Sequence, residues 1–100
     1  MTFSIKFNEE KNQLLKVTRG VSFEDILEAL KEEKLLADIT HPSQKRPNQR
    51  LYVVEIKGYA YVVPYVFDTK KQEIFLKTIY PSRALTKIYL KGGKNEKKKQ

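Results

Sequence analysis

Cysteine is absent from this 100-residue chain. That removes disulfides, thiol nucleophiles and Cys-ligated zinc, and it fits a reducing compartment. Histidine occurs once, at position 41. Any Ser–His–Asp arrangement must therefore use His41, and a multi-histidine metal site cannot form within one chain. The longest uncharged stretch, Gly58 to Phe67, is ten residues, about half of what a membrane-spanning helix needs. The opening Met1-Thr2-Phe3-Ser4-Ile5-Lys6 lacks the apolar core of a signal peptide. A cytoplasmic protein with no membrane contact is expected. No phosphate-binding glycine loop, GxSxG segment, acidic metal cluster or internal repeat is present.

What is there is a globular composition, 40% hydrophobic and 32% charged, with enough chain for one core. Residues 1–92 are expected to form one domain, followed by a disordered basic tail over 93–100. The net charge of +8 is unevenly spread. Residues 1–39 carry 6 basic and 8 acidic side chains, residues 40–90 carry 9 and 3, and residues 91–100 carry 5 and 1. A positive second half suits a polyanion or an acidic partner, although a basic solvated surface is the plainer reading.

Phe3 to Phe7 alternates apolar and polar residues, which predicts a short strand. Asn8 offers an N-cap oxygen with Glu9 and Glu10 behind it, so a first helix runs through Leu14, Leu15 and Val17 and stops at Gly20. Ser22 and Asp25 form a capping box for a second helix, with Phe23, Ile26, Leu27 and Leu30 on one stripe. Residues 40–50 hold two prolines and read as a loop, with Lys45, Arg46, Arg50 and the lone His41 in it. Leu51 to Phe67 reads as a hairpin about Lys57-Gly58. A strand over Glu73–Tyr80 and a helix opening at Pro81-Ser82 follow, the helix with Leu85, Ile88 and Tyr89 on one side and Gly92-Gly93 at its end. The class is α+β: an antiparallel sheet of three to four strands, two N-terminal helices and one C-terminal helix. The middle strands are apolar on both faces, so the sheet needs a second cover, from the last helix or from a partner protein.

Several residues are candidates for chemistry. Pairing across Lys57-Gly58 sets Glu55 opposite Ala60 and Val53 opposite Val62. A four-residue turn over Asp68–Lys71 would pair Val62 with Lys77, which makes Glu55 and Lys77 near neighbours on one face. An ordinary cross-strand ion pair is the plainer reading. Arg83 stands at the start of the last helix, where a guanidinium can clamp a phosphate. His41 can serve as general acid or base. Tyr59, Tyr61 and Tyr65, at strand spacing, form a face for stacked bases, for core packing or for self-association.

Three stretches carry a resemblance. Phe7-Asn8-Glu9-Glu10-Lys11-Asn12 followed by Arg19-Gly20-Val21-Ser22-Phe23-Glu24 resembles the opening of BrnT-type toxins. There, a (W/F)-(D/N)-E-x-K-x segment precedes K-H-G-(V/I)-S-F-x-(E/D). Ile74 to Lys87 is similar to the family's closing strand and its S-x-R-x-A/S-T helix start. Arg50 to Val66 is similar to small bacterial toxin components related to that family. Together they cover about residues 3–90. The resemblance implies a RelE-like fold, ribonuclease activity on mRNA and a cognate ribbon-helix-helix antitoxin; cleavage without a metal fits the residue inventory, and no cofactor is expected. One departure is Arg19, where the family has histidine; it replaces that residue or only caps the first helix. In this reading Arg83 and Lys77 supply positive charge, Glu55 or His41 is the base or acid, and Arg19, Arg50, Lys45 and Arg46 contact RNA. The alternative is a catalytically inactive RNA- or protein-binding module of the same fold. A DNA-binding regulator is disfavoured, because no helix-turn-helix spacing with a basic second helix occurs.

Overall fold

The computed structural model describes residues 3–40 and 49–91. The first strand, β1 (Ser4–Phe7), leads into α1 (Glu9–Arg19). Asn8 caps α1, its side-chain oxygen accepting from the Lys11 N–H at 2.8 Å. Gly20 closes it at φ 67°, a left-handed conformation that glycine adopts without a side-chain clash. Helix α2 (Phe23–Lys31) opens with the expected box: the Asp25 N–H donates to Ser22 Oγ at 3.1 Å, and the Ser22 N–H to the Asp25 carboxylate at 2.9 Å.

A strand that the sequence reading did not foresee follows, β2 (Leu35–Thr40). Leu35 is opposite Val54 and Ala37 opposite Val53, so the pairing shifts register between them. That bulge sets two leucines side by side in sequence and hides the period of two. Thr40 thus ends a strand and Gln49 and Arg50 begin the next, which narrows the loop expected over residues 40–50. His41, Lys45 and Arg46 lie outside the described residues, as does the basic tail.

The hairpin is β3 (Gln49–Ile56) and β4 (Tyr59–Asp68). Lys57 and Gly58 turn at φ 53° and 79°, the left-handed pair of a type I′ turn. Glu55 is opposite Ala60 and Val53 opposite Val62, as the turn spacing predicts. The single strand expected over Glu73–Tyr80 is broken into β5 (Glu73–Leu76) and β6 (Tyr80–Pro81), both paired with β4. Pro64 gives the reason: Lys77 donates its N–H to the Pro64 carbonyl at 2.8 Å, and proline has no N–H to return.

The sheet is therefore mixed and six-stranded, in the order β1-β5-β4-β3-β2 with β6 on β4. This corrects the antiparallel sheet of three to four strands. Strand β1 runs parallel to β5, which the long connection through both helices and the meander permits. Helices α1 and α2 cover one face, packing Leu15, Phe23, Ile26 and Ala29 on Val54, Val63, Tyr65, Leu76 and Ile79. On the other face a closing helix, α3 (Arg83–Thr86), continues as a π-helical segment over Lys87–Lys91. It packs Leu85 and Leu90 on Val53 and Ala60. Ile88 is 62% exposed and Tyr89 also points outward, because the wider π-helical turn brings Leu90 to the sheet in their place.

Among the described residues two polar side chains are fully enclosed, Asn12 and Thr86. Asn12 is 0% exposed, accepts the Phe23 N–H at 2.7 Å and donates to the Glu24 carboxylate at 2.9 Å. It ties α1 to the first turn of α2, and its hydrogen bond is the main cause that holds the Glu24 carboxyl below the usual range. Asn12→Ala leaves the Phe23 N–H unpaired, so a loss of about 1–3 kcal/mol is expected. Thermal unfolding checks this, with Asn12→Asp as the variant that keeps the acceptor.

Candidate nucleic-acid interface

Strand β4 is ten residues long, and β5 covers only its far half. Near the hairpin, the edge groups of Ala60 would be orphans. The Ser82 N–H donates to the Ala60 carbonyl at 3.0 Å. The Ala60 N–H donates to Thr86 Oγ1 at 2.8 Å, and that hydroxyl donates to the Ser82 carbonyl at 2.7 Å. Ser82 Oγ in turn accepts from the Leu85 N–H at 3.1 Å. Two residues of the Ser82-Arg83-Ala84-Leu85-Thr86 segment thus fasten the closing helix to β4. Arg83 is exposed between them, and among the described residues no carboxylate pairs with it.

Glu55 lies across from Ala60 and so shares this end of the sheet with Arg83. Lys77 does not. Asp68 pairs with Glu73, so the second turn covers residues 69–72 and not Asp68–Lys71. The Asp68 carboxylate holds the Lys70 and Lys71 N–H groups at 3.0 and 3.2 Å, and Gln72 closes the turn at φ 56°. Lys77 keeps the expected face but stands at Pro64, four residues of β4 beyond Ala60 and roughly 13 Å along the strand. The Glu55–Lys77 neighbourhood expected from the sequence is therefore not formed.

Two candidate RNA contacts are engaged within the protein. Arg19, in the last turn of α1, donates from Nη1 to the carbonyl of Ile79, between β5 and β6. Arg50 donates from Nε to the Asp38 carboxylate at 3.0 Å and from Nη2 to the Asp38 carbonyl at 2.9 Å. Asp38 also accepts from the Tyr65 hydroxyl at 2.8 Å, and Tyr65 stacks on Tyr52 with centroids 4.1 Å apart. Sequence reasoning missed this cluster, because Asp38 sits in the unforeseen β2. A carboxylate alone in an apolar run was its only signal.

Of the readings open for the tyrosines, core packing is the one the fold takes for Tyr61 and Tyr65, on the helix-covered face. Tyr65 is buried, and Tyr52 and Tyr61 pack against the core there. The exposed aromatic residues of the sheet are Phe75 and Tyr80, on the opposite face.

Burial first, then the hydrogen bond to the Asp38 carboxylate, raises the Tyr65 phenol well above its ordinary value. Burial and the same charge raise Tyr52. The unfolded chain loses these protons near pH 10 while the folded chain keeps them, so stability falls as pH rises above about 10. Tyr65→Phe should cost about 1 kcal/mol at neutral pH and flatten the alkaline decline. Urea titrations at a series of pH values read both effects.

No family model, curated protein or solved structure matches this chain.

Proposed function

We propose that this protein is the toxin component of a type II toxin–antitoxin pair. In this reading it has a RelE-like, BrnT-type fold and acts in the cytoplasm as a metal-independent endoribonuclease on mRNA. A cognate ribbon-helix-helix antitoxin neutralises it. The observation that carries the reading is the setting of Arg83. The closing segment resembles the family's helix start, Ser82 and Thr86 of that segment are used up in holding the helix, and Arg83 is left exposed. The backbone that carries Arg83 is anchored on both sides, so its guanidinium is presented to solvent with no internal partner among the described residues to give up before it meets a phosphate.

The chemistry follows from that placement. A base takes the proton of a ribose 2′-hydroxyl, whose oxygen attacks the adjacent phosphorus. The 5′-oxygen leaves and takes a proton from an acid. Arg83 holds the phosphate as its charge grows, and Glu55, on β3 across β4 from the closing helix, is one candidate to move the proton. His41 remains the other candidate. Lys77, farther along β4, serves a neighbouring phosphate.

A second reading has an observation of its own. Arg19, which stands where the family has histidine, is engaged with the Ile79 carbonyl and Arg50 with Asp38, which takes two candidate RNA contacts out of the site and favours a catalytically inactive module of the same fold. Turnover separates the two. Induced alone, the parent protein should arrest bacterial growth and cleave mRNA in the presence of EDTA. Arg83→Ala should lower cleavage by about 10²–10³-fold, the scale of one transition-state donor, with a smaller effect on RNA affinity. Arg83→Lys should recover only part, since it restores charge without the planar fork. Full cleavage by a folded Arg83→Ala protein defeats this site, and normal growth at confirmed soluble expression favours the non-catalytic module.

A further inference from the structure

Four exposed side chains stand in file along one edge of β4. Phe75 is opposite Val66. Lys77 comes next on that face, its N–H on the Pro64 carbonyl. Tyr80 is opposite Val62. Arg83 follows Ser82, whose N–H meets the Ala60 carbonyl. Val66, Pro64, Val62 and Ala60 are successive same-face positions of β4, each about 7 Å from the next. The order is aromatic, cation, aromatic, cation. Phe75 and Tyr80 are each 39% exposed, and Lys77 Nζ stands 5.7 Å from the centroid of the Phe75 ring.

The file depends on an irregularity. In a regular strand Tyr80 would share the helix-covered face with Leu76. Between Lys77 and Tyr80 the closing segment advances three residues while β4 advances two, from Pro64 to Val62. This extra residue leaves Ile79 in the core, 0% exposed, and returns Tyr80 to the open face. Arg19 donates to the carbonyl of Ile79, so a guanidinium from α1 satisfies the carbonyl that the irregularity frees.

We propose that this file is a binding track for an extended single strand of nucleic acid. Bases stack on Phe75 and Tyr80, and phosphates meet Lys77 and Arg83. Charge complementarity selects this occupant. A single strand alternates flat faces with negative charge, as the file alternates rings with positive charge, whereas an apolar protein segment would desolvate both cations without a partner. The carboxylates of this face lie at its ends, Asp68 and Glu73 beyond Phe75 and Glu55 beside Ala60. Glu73 is paired with Lys6 at 3.8 Å. A duplex cannot use the track, since its base faces are already stacked. The proposal deepens the function above by giving the strand a path, and rests on it only for the choice of RNA.

Fluorescence anisotropy tests it with a short unstructured RNA made uncleavable by 2′-O-methyl groups, the same sequence as DNA, and the duplex. The single strands should bind in preference to the duplex. Phe75→Ala and Tyr80→Ala should each weaken single-strand binding by about 5- to 150-fold, the range for one stacked base. Phe75→Tyr and Tyr80→Phe should retain it. Lys77→Ala should reduce the slope of log affinity against log salt by about one phosphate contact. Parental affinity in both alanine variants, with melting temperatures confirming the fold, overturns the track, as does equal binding of the duplex. If those variants change self-association in sedimentation but not nucleic-acid binding, the face joins two copies and the proposal fails. DNA bound as tightly as RNA supports the track while counting against mRNA as substrate. An intact track without cleavage defeats the endoribonuclease alone.

Discussion

The peptide of Ala60 holds the two halves of the structure together. Its carbonyl accepts from the Ser82 N–H and its N–H donates to Thr86 Oγ1. Both groups point to an edge that β5 does not reach, and burial forbids leaving them bare. The chain after β6 must therefore turn back over β4. Leu85 and Leu90 then reach Val53 and Ala60, and the second face of the sheet gains its cover near the hairpin. The same clasp leaves Arg83 facing outward, because the residues on either side of it are committed to β4.

Pro64 decides what happens farther along. A proline in an inner strand removes one donor from the ladder, and here it falls where β5 would have continued. The pairing stops at Leu76, slips by a residue and resumes at Tyr80. The slip separates Leu76 and Ile79, both buried, from Phe75, Lys77 and Tyr80, all exposed. A local loss of hydrogen bonding thus becomes an arrangement of surface chemistry, with Arg19 reaching from α1 to satisfy the freed carbonyl.

The legible parts of this fold were those that neighbours in sequence decide. Asn8, Gly20 and the Ser22–Asp25 box act within one helical turn, and Lys57-Gly58 sets the register of its own hairpin, so Glu55 opposite Ala60 follows from spacing alone. Where the outcome depends on a distant partner, the pattern misleads. Leu35-Leu36 conceals β2, because the bulge that separates them exists only against β3. The second turn is fixed by the Asp68 side chain and by Gln72, and counting polar residues missed the shift that carries Lys77 away from Glu55. Pro64 was the one visible sign that the strand over Glu73–Tyr80 would break. For the candidate site, the place of Arg83 at the start of the closing helix was readable from its position after Ser82, whereas the internal bonds of Arg19 and Arg50 were not, since Ile79 and Asp38 are remote from them in sequence.

The uneven charge bears on the two faces differently. On the helix-covered face, exposed carboxylates satisfy buried polar groups: Glu24 accepts from Asn12 and Asp38 from Tyr65, and Asp38 also accepts from Arg50. These carboxylates account for two of the 8 acidic side chains that residues 1–39 carry, and Glu9, Glu10 and Asp25 sit in the first turns of α1 and α2, where the helix dipole favours them. The exposed file on the other face, Phe75, Lys77, Tyr80 and Arg83, comes from the second half of the chain, whose residues 40–90 carry 9 basic and 3 acidic side chains. Its cations at Lys77 and Arg83 are not neutralised by pairs among the described residues. Charge left unpaired beside exposed aromatic rings adds little to stability. In the proposed track, that unpaired charge is what would favour a polyanion on this side of the sheet.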